Sequence, residues 1–165
     1  MGLDITAYSD IEFVQSLGDT SPNQADEFYS LGYTRIYEND PAFTERGDGL
    51  EPGWYKRDGS MGFRAGSYGG YNMRRRSLAQ AVFAVEPEEI WKDPDTYTHN
   101  SVSLLIHFTD CDGFIGPVTS KKIYDDLIQI PEVAISQWEL NEYDFLSNFT
   151  AAFKLASQNG VVRFS

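Results

Sequence analysis

Cysteine, histidine and long apolar runs are scarce in this chain. Cys111 is the single cysteine among 165 residues, so no intrachain disulfide can form, which fits a reducing cytoplasm. No charged start precedes an apolar core, so no signal peptide is expected. No apolar stretch approaches the roughly 20 residues that a membrane crossing requires. Positive charge is scarce too: 13 lysines and arginines stand against 25 aspartates and glutamates, a formal net charge of −12. Such a surface repels phosphate backbones and anionic lipid, so neither direct nucleic-acid binding nor membrane binding is expected. It attracts a basic protein, and it also favours solubility.

What the chain does contain is enough for one core. Hydrophobic residues make up 41% and aromatics 15%, which suits a single domain and excludes general disorder. Met1 to Thr6 matches a short myristoylation pattern. Leu3, Ile5 and Ala7 alternate as a buried strand does, however, and the strand reading is the one adopted.

Local patterns predict the remaining elements. Ser21-Pro22 reads as the cap and first residue of a short helix closing at Gly32, followed by extended chain from Tyr33 to Tyr37. Residues 38–53 read as loop. Trp54 to Arg57, Asp58-Gly59 and Ser60 to Arg64 predict a two-residue hairpin with Trp54, Lys56, Met61 and Phe63 on one face. Asn72 to Phe83 reads as a helix with a stripe of Tyr71, Leu78 and Val82. Residues 86–100 read as a long acidic surface loop, and Val102 to Phe108 as the clearest strand. Two helices then follow. Thr119 caps the first, with Val118 stapled onto Ile123; Asn141 caps the second, with Leu140 reaching Phe145. In the second helix Leu146, Phe149, Phe153 and Ala156 face the core, Asn159-Gly160 ends it, and Val161 to Phe164 is a short strand. The expected fold is one α+β domain over residues 1–165: a small, mostly antiparallel sheet with three to four helices packed mainly on one face.

Two glycine-bearing stretches carry the candidate site. Residues 62–72, GFRAGSYGGYN, hold four glycines, three aromatics and one arginine, and Arg74-Arg75-Arg76 follows. Residues 109–117 form the second. Each leads into a helix, whose start offers N–H groups to an anion. The candidate ligand-binding residues are Arg64, Gly66, Ser67, Tyr68, Gly70, Tyr71 and Asn72 with Asp110, Cys111, Asp112 and Gly113. Arg64 would grip the anion, and Tyr68 or Tyr71 would stack on a planar ring. Three adjacent helical arginines fan over about 200°, so they cannot all converge on one ligand. Lys121 and Lys122 sit in a first helical turn, where the dipole disfavours cations, and Asp110 and Asp112 are the carboxylates expected to offset them. Cys111 with His107 is a weak nucleophile–base pair, since a cysteine at a strand end is more often a small buried apolar residue. The spacing of His107, Asp110, Cys111 and Asp112 matches no established metal motif. No cofactor and no metal are expected.

The segments MGLDITAY, GFRAGSYGGYN, HFTDCDGFIGPVTSKK and AAFKLASQNGVVRF, in this order, resemble a family of small uncharacterised proteins from bacteria, phages and prophages. The matching positions are Arg64, Gly66, Ser67, Tyr68, Gly70, Tyr71 and Asn72, then Asp110, Cys111, Gly113, Gly116 and Pro117. Asp112 replaces a usual glutamate, Met73 replaces a bulkier or more polar residue, His107 is outside the pattern, and residues 84–101 match nothing in it. The resemblance implies a context and no activity. With the acidic surface, it leads to the expectation of a soluble binding protein acting in a host cytoplasm against a host defence. Such a protein would occupy a basic protein or sequester a small anionic or nucleotide ligand between the two glycine stretches. A hydrolase or transferase using Asp110, Cys111 or Asp112 is the alternative.

Overall fold

A computed structural model describes residues 2–108 and 113–165. The first strand, β1 (Gly2–Ser9), is central. It pairs antiparallel with β5 (Gly59–Ser67) on one side and β7 (Val161–Phe164) on the other, and β6 (Gly113–Ile115) extends the sheet beyond β7. The order is therefore β5-β1-β7-β6. A second antiparallel sheet places β4 (Gly53–Lys56) between β2 (Glu12–Ser16) and β3 (Thr34–Ile36). Strand alternation divides the core between the two faces of the main sheet. Leu3, Ile5, Ala7, Ile115, Val162 and Phe164 enter the large core beneath the helices. Tyr8, Phe114 and Val161 point the other way, into a smaller cluster with Ile11, Ile36 and Tyr55 of the second sheet.

The helices are α1 (Pro22–Ser30), α2 (Tyr68–Phe83), α3 (Pro87–Lys92), α4 (Val102–His107), α5 (Pro117–Leu127), α6 (Glu132–Ile135) and α7 (Leu140–Ala156). Four of them reach nine residues, and among these α2, α5 and α7 cover the inner face of the main sheet. Phe149 of α7 is buried at the centre, its ring 4.5–6.4 Å from those of Phe63, Tyr71, Phe145, Phe153 and Phe164. The α+β fold expected from the sequence is the fold observed, built on two sheets. Among the described residues, no helix is long and apolar enough to cross a membrane.

Several local expectations hold. Ser21 caps α1 in a reciprocal box with Gln24, Gly32 takes φ +75°, and Asn159 takes φ +50° beyond the end of α7. Others are corrected. Trp54 to Arg64 is not a hairpin, because β4 and β5 lie in different sheets. Neither Asp58 nor Gly59 has the positive φ that the turn requires. The Asp58 N–H instead donates to the Ser9 carbonyl as the chain crosses between sheets. Trp54 packs under Phe28 and Tyr29 of α1, away from Phe63. Strand propensity at both ends of an Asp-Gly step does not say which strand each half will meet.

Val102 to Phe108 is a helix, not a strand. Its apolar residues fit both periods, and Val102, Leu105 and Ile106 are buried at helical spacing. Asn100 accepts from the Val102 N–H and Asp126 from the Ser101 N–H, which supplies the helix start. Residues 86–100 are not a bare loop, for they form α3 and a 3₁₀ turn, Pro94–Tyr97. Each begins with proline, which starts a helix as readily as it breaks one. A 3₁₀ segment, Pro41–Gly47, likewise interrupts the expected loop at 38–53. Helix α2 begins four residues before Asn72, disguised by Gly69 and Gly70 in its first turn. The caps of α5 and α7 are Gly116 and Glu139 rather than Thr119 and Asn141. Val118 is 57% exposed and Leu140 76%, so neither forms the expected staple.

Candidate functional site

The first glycine stretch is a strand end, a bulge and a helix start. Gly66 adopts φ +102°, a conformation that favours glycine, just after a register shift opposite Leu3 and Asp4. The Ser67 hydroxyl accepts from the Gly70 N–H at 3.1 Å and so caps α2. Tyr71 is buried against Phe145 and Phe149, so it cannot stack on a ligand. Tyr68 stays 38% exposed at the helix start. The Asn72 side-chain oxygen accepts from Arg75. Arg64 lies on the outer face of β5 with its guanidinium over Gly2, where a side chain at residue 2 would collide with it. Arg64 and Gly66 line a shallow hollow with Arg74, Asn141 and Asp144.

The arginine run splits as its fan predicts. Arg76 is exposed and pairs with Glu86 at 2.6 Å, Arg74 is half-buried, and Arg75 is 6% exposed. Arg75 follows Tyr71 by four residues and so sits on the buried stripe. Its guanidinium donates to the carbonyls of Phe108 at 2.8 Å and Ile106 at 3.4 Å, and stacks on Tyr71 and Trp91. These carbonyls close the C-terminal end of α4, where the backbone lacks partners and the dipole favours a cation. Arg46 of the 3₁₀ segment reaches the same helix end, donating to the Leu104 carbonyl at 3.0 Å and to His107 Nδ1 at 2.8 Å. Burial above all, then Arg46 and Arg75, pushes the His107 pKa below its ordinary value. The imidazole is therefore neutral near pH 7.

Of the second stretch, Asp110, Cys111 and Asp112 lie outside the described residues, and the readings placed on them stay with the sequence. Gly113 opens β6, packed so closely that a Cβ would stand 2.9 Å from the Phe108 ring. Asn39 clamps this edge strand as a substitute for another strand, accepting from the Phe114 N–H at 2.7 Å and donating to the Phe114 carbonyl at 2.8 Å. Because β5 and β6 are opposite edges of the main sheet, Arg64 and Gly113 are separated by three strand spacings, roughly 14 Å. The described ends of the two stretches thus do not face each other. Asp48 supplies a carboxylate at the start of α5, accepting from the Thr119 N–H and hydroxyl, each at 2.8 Å. Lys121 pairs with Asp125. Arg46 and Asp48 gave no signal in the sequence beyond lying after Asp40-Pro41, whereas Arg75 was marked by its spacing from Tyr71.

The two densest acidic stretches, 86–95 and 139–144, come together around α2. On one side Met73 and Arg76 form a hollow with Pro87, Glu88 and Trp91. On the other, Ser77, Gln80 and Ala81 floor a groove of about 360 Å³ walled by Val133, Trp138 and Glu142. Gln80 donates to Glu86 at 2.6 Å and Ser77 to Glu142 at 2.5 Å, which holds a carboxylate on each flank. Exposed apolar groups lie among these acids: Met73 is 65% exposed and Val133 81%. Compared with known protein families, with curated proteins and with solved structures, the chain matches none.

Proposed function

We propose that this chain acts by binding a basic protein through the acidic, apolar-studded face around α2, and that it carries out no chemistry there. The observation behind this reading is the convergence of two sequence-distant acidic stretches on the two flanks of the outer face of α2. Apolar contacts inside a charged rim are the usual anatomy of a protein interface, and the net charge of −12 steers a basic partner toward it. In the setting that the family resemblance implies, a phage or prophage gene product in a host cytoplasm, that partner is a host defence protein. Sequestration of a ligand between the two glycine stretches is the weaker reading, since Ser67, Tyr71 and Asn72 are engaged within the fold.

The experiment compares partners captured from host extract by the native chain and by an E88K/E89K/D144K variant, whose three exposed positions lie in the two acidic stretches. A basic protein held by the native chain, released by moderate salt and lost from the variant is the expected result. Capture of the same proteins by both chains, or of no basic protein by either, would count against the proposal.

A further inference from the structure

A different part of the molecule bears a second, independent feature. The 3₁₀ segment and α4 face each other across an open cleft of about 500 Å³, with Phe43 and Leu104 on its apolar wall. Arg46 lies in that wall, half-buried, stacked 4.7 Å from the Phe43 ring centroid. A guanidinium has five N–H donors. Two of those on Arg46 are used by the Leu104 carbonyl and His107. Among the described residues no carboxylate lies within ion-pair distance of it. His107 does not serve as a counter-ion: it accepts through Nδ1, so its proton is on Nε2 and the ring is neutral. Asp48, two residues along, has both oxygens engaged by Thr119.

A partly desolvated cation without an anion is costly, and this chain has carboxylates to spare. Burial already pulls the Arg46 pKa down to about 10, an effect that Tyr71 partly offsets. We infer that the cleft is a binding site for a small organic carboxylate, its head on Arg46 beside the His107 imidazole and its apolar body against Phe43 and Leu104. The rim selects the charge. Glu45 and Asp95 stand exposed around the cleft with Lys122, so a monoanion is tolerated where a multiply charged phosphate is repelled.

The test follows the His107 ring by NMR during titration with benzoate, with inorganic phosphate and with sodium chloride at matched ionic strength. His99, which follows the cleft-lining Thr98 but is not itself among the lining residues and packs its ring on Phe83, is the internal comparison. The expected result is a saturable benzoate shift at His107 alone, at least tenfold weaker with phosphate and absent in Arg46→Gln. Should that variant not fold, Arg46→Lys takes its place; it keeps the charge, lacks the fork, and should bind at least tenfold more weakly. No benzoate response beyond that of chloride, tighter binding of phosphate, or undiminished binding in the arginine variant would each overturn the inference. None of these outcomes bears on the acidic face, whose test leaves Arg46 untouched.

Discussion

Arg75 shows how little a residue's neighbours in sequence say about its work. It stands between two arginines that face outward, yet its own charge closes the end of α4 from inside the fold. Removing it takes the arginine donor from the Phe108 carbonyl, leaves the Ile106 carbonyl to the Trp91 indole N–H, and deprives two aromatic rings of their cation. Arg75→Met should therefore lower the unfolding free energy by about 2–4 kcal/mol, read from urea denaturation. Arg76→Met breaks only an exposed pair with Glu86 and should cost less than about 1 kcal/mol. Equal losses in the two variants would mean that Arg75 is not the one that holds the helix. The stripe spacing from Tyr71 was readable in advance, but its consequence was not, because the carbonyls it meets lie on α4, a segment that the sequence presents as a strand.

Elements with a strong local signal were legible, and those decided by distant partners were not. The strand alternation of β1, the Ser21-Pro22 start of α1 and the aromatic stripe of α7 each carry their own cause within a few residues. The segment 102–108 and the Asp58-Gly59 step do not. The first is apolar at both periods and becomes helical because Asn100 and Asp126 cap it; the second joins strands whose partners come from elsewhere. The candidate site fared likewise: local reading located the glycine stretch, while the Arg46 cleft needed α4 to be placed first. Helix α1 tests the local case most directly, since it has no fully buried residue and leans on Trp54 through Phe28 and Tyr29. Ser21→Ala removes its cap, worth about 1 kcal/mol, and should speed amide exchange in α1 roughly fivefold. The global urea midpoint should barely move. A change spread evenly over the protein would show instead that α1 unfolds only with the whole.

At the scale of the molecule, charge is the dominant asymmetry. Between described residues the ion pairs are Lys56–Glu12, Arg76–Glu86 and Lys121–Asp125, each substantially exposed and worth at most about 1 kcal/mol. Most of the described carboxylates have no such partner, so folding gathers negative charge that an unfolded chain spreads out. Salt screens such repulsion over about 10 Å at 0.1 M. Raising sodium chloride from 10 mM to 0.5 M should thus stabilise the fold by about 1 kcal/mol, a rise of roughly 2–4 °C in Tm by calorimetry. Association with a basic partner should weaken over the same range, because there the same charges attract. The two slopes must have opposite signs if one surface causes both. A Tm that stays flat or falls with salt would mean that the carboxylates are already balanced within the fold, and the acidic face would lose its electrostatic reason to bind anything.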